Sequence, residues 1–577
     1  MKINNIFIGL FLFTTCFLFN SCESVDLDQT EDPSAVSNAF LDPVYTFNYV
    51  QLKLKDFVLA NNSFTQEMTR QLAMTSGTNY NNAFSATDFN RNWELGYSIL
   101  NAVKIMTPKA LEKKEFFALG ASKVIGAYVT MTMVDTYGDI PFSEALQAEL
   151  NFTPKYDKSA QIYKQVFLDL DDAIALLDPL KPSGSTLQDL YYNGTKDNWL
   201  RLANTLKLKM LNNARLASAD IGVTDIGAAM NSIIATNKII SESSQDFVFK
   251  FGTSRFTPNT RHPLYNDMYE LGPRTYIANY MFWTMTIEKA TVVGGGGVIK
   301  DPRTNFYFFR QVLDPAASDN FALPRGLRPD HYNETRYNSF YEPTVRMCYL
   351  VSNWLSGVAP PTNGYWGRDH GNGSGIPQDG SKRTVIGLYP VGGAYSAAGT
   401  PAPVQTSGVA GAKGAGILPI MMSSFVHFIK AEAILTAGVT GDAKAELIAG
   451  IDDSIDRVTV PIGDYGPTAS EFSGINLNQI GYTTFIKNKY DSFTAAQRLE
   501  LIIKEYLIAS WGNGIEPYNN YRRTGFPSNF QPTLESISGS FFSTALYAAS
   551  STNNNPNFPL NERTKKVFWD KLNLELK

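Results

Sequence analysis

The residues of this sequence best suited to chemistry are aromatic rings set among amides and ions, and that chemistry would be the binding of sugars. Tyr276, Trp283, Trp354, Tyr365 and Trp366 share the middle of the chain with Asn279, Asn353, Asn363, Arg368 and Asp369. The apolar face of a pyranose lies flat on such rings, while neighbouring amides, carboxylates and guanidinium groups satisfy its hydroxyls. Trp93 and Tyr97, four residues apart after Asn90 and Arg91, form a second pair that a helix would bring to one face. Large aromatics also fill cores, and Trp199, Trp511 and Trp569 are read that way. The candidate ligand-binding set is therefore Trp93, Tyr97, Tyr276, Trp283, Trp354, Tyr365, Trp366, Arg368 and Asp369. Among Trp283, Trp354, Tyr365 and Trp366, at least some rings are expected to face solvent, because glycine and proline around them prevent long regular packing.

No catalytic constellation accompanies them. His262, His331, His370 and His427 are far apart, and no His-Glu-x-x-His or paired cysteine suggests a metal. Gly373-Ser374-Gly375 lies in a loop, not in a strand-turn-helix elbow. The run Gly294 to Gly297 lacks the spacing and following helix of a phosphate loop. Asp171-Asp172 and Asp452-Asp453 are adjacent and would point apart on a helix, as solvated faces do. The reading assigns no catalytic residue, no metal site and no cofactor, and the protein is expected not to be an enzyme. A formal net charge of −4 offers no basic stripe for nucleic acid.

The elements that must hold these residues begin after an export signal. Lys2 precedes an apolar run from Ile6 to Phe19, too short to span a bilayer comfortably, and Ser21-Cys22 follows it. Residues 1–21 read as a lipoprotein signal peptide, with Cys22 the lipidation site by resemblance to such signals. Cys16 leaves with the signal, which leaves Cys348, beside Met347, as a buried small hydrophobe. The acidic stretch from Glu23 to Pro33 makes residues 22–42 a solvated tether. Charge or glycine interrupts every later apolar run, so no other membrane span is expected.

From residue 43 the texture changes twice. A helical body spans about 43–219 and 417–527, a loop-rich insert about 220–416, and a C-terminal segment 528–577. Ile162, Val166, Leu170, Ile174 and Leu177 repeat at helical spacing after Asp157, a candidate N-cap. Trp199, Leu202, Leu206 and Met210 form a second stripe, with Lys209 placed off it. Thr494 to Gln497 fits a capping box, and Gly512 can end the helix it opens. In the insert, Asn305 to Leu313 reads as a strand, and the glycines of 292–298 and 392–416 oppose helix.

The stretch Val134-Asp135-Thr136-Tyr137-Gly138-Asp139-Ile140-Pro141, with Pro154-Lys155-Tyr156-Asp157 after it, resembles the SusD/RagB family of Bacteroidetes outer-membrane lipoproteins. The block from Trp199 to Lys209 and the late Arg522-Arg523-Thr524-Gly525-Phe526-Pro527 resemble the same family in the same order. The resemblance implies a mainly α fold, in which tetratricopeptide-like helix pairs carry a loop-rich, partly β ligand-binding subdomain. It also implies a surface-exposed, lipid-anchored protein that binds a nutrient, most simply an oligosaccharide, and delivers it to a SusC-like TonB-dependent transporter. A peptide ligand is the alternative within the family, and a tethered glycoside hydrolase the alternative outside it. Physically, the motifs need no ligand. Gly138 suits a left-handed helix end, Asp139 or Ser143 can cap the next helix, and Arg522 and Arg523 suit carboxylates or loop carbonyls.

Overall fold

The computed structural model describes residues 42–572 except 148–149, 186–187, 271–274, 287, 289–291, 294–296, 299–300, 312–364, 366, 374–382, 405–407 and 534–540. Cys22, His331, Cys348, Trp354 and Trp366 lie outside the described residues. The helices α1 (Pro43–Met68), α2 (Asn90–Glu112) and α3 (Phe116–Tyr137) pack on one another. Helix α1 buries Phe47, Val50, Leu54, Phe57 and Phe64, and α2 buries Trp93, Ile99, Ala102 and Met106. Each set follows the three-to-four spacing of an amphipathic helix. Helix α3 differs: its 22 residues are long and apolar enough to cross a membrane, a length the sequence reading did not expect after the signal. Yet 94% of its most apolar window is buried inside the protein, which marks it as a core helix.

At the end of α3 the chain turns through the first family motif. Gly138 takes φ 82° and ψ −124°, so its φ is positive as expected but ψ lies outside the left-handed helical well. Strand β1 (Ile140–Pro141) then pairs antiparallel with β2 (Tyr156–Asp157) of the second motif. Asp157 does not cap the following helix α4 (Ser159–Leu176). It reaches back, accepting from the Phe142 and Ser143 amides at 3.1 and 2.7 Å. Asp139 supplies the cap instead, accepting from the Ser159 amide at 2.9 Å. The two motifs thus hold each other's turns.

Helix α5 (Lys196–Asn213) buries Trp199, Leu202, Leu206 and Met210. Lys209, expected off that stripe, is also buried and forms an ion pair with Glu516. Later, α6 (Ser423–Thr436) pairs with α7 (Ala443–Thr459), followed by α8 (Ala469–Ser492), α9 (Ala495–Ala509) and α10 (Ile515–Thr524). The Thr494–Gln497 capping box opens α9 as the sequence suggests, although that helix stops at Ala509, short of Gly512. Helix α10 ends on Gly525 in the left-handed conformation, φ 76° and ψ 7°. Trp199, Trp511 and Trp569 are all buried, as core rings should be.

One short strand pair joins the insert to this body and two more lie within the insert. Strand β3 (Phe247–Lys250) pairs with β8 (Ile417–Met421), β4 (Val292–Val293) with β5 (Gly297–Val298), and β6 (Phe308–Phe309) with β7 (Val385–Ile386). The strand expected at Asn305 starts later, because Thr304–Tyr307 makes a helical turn first. Two buried ion networks fasten the fold, the first joining insert to body and the second joining the two parts of the body. Arg303 meets Asp301 and Glu505 at 2.7 and 2.8 Å, and Arg523 and Arg215 share Glu432 at 2.6 and 2.7 Å.

Candidate functional site

Three distant chain segments converge where the insert meets the first helices. The Ala73 amide donates to Tyr276 O at 2.9 Å, Ala278 N to Gln71 O at 3.1 Å, Asn279 N to Arg368 O at 2.9 Å and Gly371 N to Met74 O at 2.9 Å. This backbone ladder draws Tyr276, Tyr365, Arg368 and Asp369 inside, each no more than 2% exposed. The Tyr276 ring lies under the guanidinium groups of Arg368 and Arg383, at 4.8 and 5.3 Å. Asn279 Nδ2 donates to Asp369 Oδ1 at 2.9 Å, and Tyr365 packs on Phe282 at 5.2 Å. His370 Nε2 lies 3.2 Å from the Tyr80 hydroxyl, which accepts from Arg70 Nη2 at 2.7 Å. Burial, then Arg70, keeps His370 neutral by holding its pKa well below the usual value. These four candidate residues therefore form a buried platform, with Arg368 over the Tyr276 ring and Asp369 bonded to Asn279 instead of facing solvent.

Among the described residues of the set in the middle of the chain, Trp283 is the half-buried member, packed partly against the core. It sits on the helix Asn279–Thr286, 5.9 Å from Tyr280. A polar chain runs beside it: Tyr280 donates to Asn529 Oδ1 at 3.1 Å, and Asn529 Nδ2 donates to Glu288 at 3.0 Å. Glu288 pairs in turn with Lys504, and Ser528 donates to Glu500 at 2.6 Å. A cleft of about 180 Å³ adjoins Glu288 and Glu500 and is walled by Phe485, Phe493, Lys489 and Gln497. Rings, carboxylates, amides and a cation are the functional groups a sugar requires.

Trp93 and Tyr97 do share a helix face, with ring centroids 5.1 Å apart. Trp93 is buried beside Tyr137, Tyr156 and Tyr547, while half-buried Tyr97 donates to Pro141 O at 2.7 Å. Tyr97 lines a second cleft, about 300 Å³, with Leu100, Lys104, Lys123, Phe142 and Asp169. A third, about 390 Å³, opens beside Tyr395, Phe306, Glu471 and Asn478. The sequence reading missed these four, because Tyr395 stands in a glycine-rich run and its partners come from remote elements. The pattern Glu471, Gly474, Asn478, with a small residue between polar ones at helical spacing, is the one local signal.

The family motifs are structural. Arg523 holds Glu432 through both carboxylate oxygens, at 2.8 and 2.6 Å, and Arg522 donates to Ser543 O at 2.7 Å. Among the described residues, no three His, Cys, Asp or Glu side chains gather as metal ligands. His262 donates nothing to such a site: its Nδ1 accepts from the Leu264 amide, and burial lowers its pKa to about 3.

Residues 33–343 match the family model described as starch-binding associating with outer membrane. Residues 406–565 match that of the SusD and RagB outer membrane lipoproteins. A search of curated proteins returned no match. Among solved structures, a chitin-binding SusD homologue from Flavobacterium johnsoniae is 17% identical with a TM-score of 0.60, over 92% of this chain and 98% of that one. A second chitin-binding protein is 18% identical, with a TM-score of 0.62 over 92% of this chain and 100% of that one. A SusD/RagB family protein from Bacteroides thetaiotaomicron is 20% identical, with a TM-score of 0.61 over 92% and 99% of the two chains. Such likenesses establish the fold, and the first model spans more than half of the sequence. The chain belongs to the SusD/RagB family, nutrient-binding proteins of the bacterial outer membrane.

Proposed function

We propose that this protein is a lipid-anchored receptor on the cell surface that captures an oligosaccharide and delivers it to a SusC-like TonB-dependent transporter. The observation that carries the reading is the half-buried Trp283, set at the edge of the buried platform beside the Asn529, Glu288 and Lys504 chain. A stacking ring on a rigid base binds a sugar at little entropic cost. The chitin-binding relatives support a glycan over a peptide. The adjoining cleft is smaller than a typical ligand pocket, so one sugar unit would enter it and the rest of the chain would lie along the surface.

Glycan-array binding by the purified chain, followed by calorimetry, tests this reading. Trp283→Ala should weaken binding by roughly tenfold, with a modest fall in melting temperature because the ring also packs partly against the core. Lower melting temperature with intact affinity would make Trp283 a core ring. Product release from a wide glycan panel would favour a hydrolase, and binding of peptides alone would move the ligand class. Cys22→Ala should release the protein from the membrane fraction, and gentle solubilisation of the outer membrane should recover a large β-barrel with it.

A further inference from the structure

The cleft beside Tyr395 has the features of a binding site in its own right. Tyr395 stacks on Phe306 with centroids 4.7 Å apart and planes at 25°, and Phe306 is buried behind it. Tyr395 itself is half-buried and lines the cleft with the part that the core does not cover. Its backbone is pinned, since its amide donates to the Tyr465 hydroxyl at 3.0 Å. The ring is thus a platform that cannot swing away. Burial, then the nearby Glu471, pushes its phenol up to about 12, so the hydroxyl keeps its proton and can donate.

The opposite wall is α8, which turns Glu471, Gly474 and Asn478 into the cleft along one face. Glu471 is held in place by its role at the helix start, where it accepts from the Thr468 amide at 2.7 Å and from its hydroxyl at 2.9 Å. The Asn478 side chain is exposed to solvent. At Gly474 an added β-carbon would meet nothing within 4 Å, so the absent side chain opens the floor. The described lining contains one carboxylate and no Lys, Arg or His.

We propose that this cleft, of about 390 Å³, binds one pyranose unit of a neutral oligosaccharide, with Tyr395 as the stacking face and Asn478 and Glu471 meeting the hydroxyls. It rests on the glycan reading above and adds a second contact point, remote in sequence from Trp283. Glu471 gives it selectivity: a uronic acid would bring a like charge against the one charged group in the described lining.

The test is calorimetric titration of the full chain with maltotriose, triacetylchitotriose and trigalacturonate. A neutral trisaccharide should bind and trigalacturonate should not. Tyr395→Ala should weaken the neutral ligand roughly tenfold. Because that change also removes packing from Phe306, Gly474→Phe serves as the second variant. It fills an open site on an exposed helix face, so it should abolish binding at the cleft and leave the melting temperature unchanged or higher. Glu471→Gln preserves the helix cap, since glutamine serves that position too, and should narrow the discrimination against trigalacturonate severalfold. Wild-type protein that binds none of the three sugars overturns the glycan reading and this inference with it. Wild-type binding that persists in both Tyr395→Ala and Gly474→Phe, while Trp283→Ala weakens it, overturns this inference alone.

Discussion

Asp246 is buried, and its surroundings decide its charge. Oδ1 accepts from the Ser423 amide at 2.7 Å at the start of α6, while Oδ2 has no hydrogen-bond partner and lies 3.7 Å from Arg457. Burial raises its pKa to about 7 against the opposing pull of Arg457, and Asp453 adds a like charge. In the unfolded chain the same carboxyl ionises near 3.9. Between about pH 4 and 7 the folded state therefore binds more protons, and this group's contribution to stability is lost as pH rises through that window. Denaturant titrations should show a slope of at most about 1.4 kcal/mol per pH unit from this group, flattened in Asp246→Asn. At the same scale, the residue types suited to sugar were legible in the sequence, but their exposure was not. Tyr276 and Arg368 are recruited into the interior by a ladder to residues 71–74, about two hundred and about three hundred positions earlier, and nothing local announces that pairing.

The corner between α3 and α4 shows what a family motif does as an element. Burial alone would raise the Asp139 pKa, but the Ser159 amide and Lys158 outweigh it and hold it below the ordinary value. Asp139→Ala removes the α4 cap and should cost about 1–2 kcal/mol in chemical denaturation. Asp157→Ala frees the 142–143 turn that Asp157 holds. The two losses should be non-additive by roughly 0.5 kcal/mol or more in a double-mutant cycle, because β1 and β2 couple them. Helices were the legible part of the fold, since their period and caps are local: Thr494 and Gln497 form the expected box. Asp157 was misplaced as a cap because a side chain two residues before a helix can serve either that helix or a turn across the sheet.

For the molecule as a whole, the buried guanidinium groups join parts of the chain that local patterns cannot. Arg303, from the insert, neutralises Asp301 and Glu505, and Glu505 also accepts from Tyr482 at 2.7 Å. Removing the cation strands two carboxylates in the core, so Arg303→Ala should destabilise by about 3–5 kcal/mol in denaturant unfolding. A smaller cost is expected for Arg523→Ala, which leaves Glu432 to Arg215 and the Asn212 amide. A loop-rich insert fastened by such contacts unfolds together with its helical body, and a single melting transition is the outcome to look for by calorimetry.

Helix α3 raises a problem of delivery that arises before folding. An outer-membrane protein must first be threaded across the inner membrane, and the export machinery meets Phe116–Tyr137 as an unfolded segment with the length and apolarity of a stop signal. Lys123, about a third of the way along, and Asp135, close to the C-terminal end, are its charged residues. Both have partners in the finished protein: Lys123 pairs with Asp172, and Asp135 accepts from Asn519 and Trp569. During passage they serve another purpose, Lys123 adding up to about 2.5–3.5 kcal/mol against lateral escape into lipid and Asp135, nearer the end, adding less. Replacing Lys123 with leucine sacrifices only a surface ion pair in the native state, yet it should divert a fraction of newly made chains into the inner membrane, where fractionation would find them.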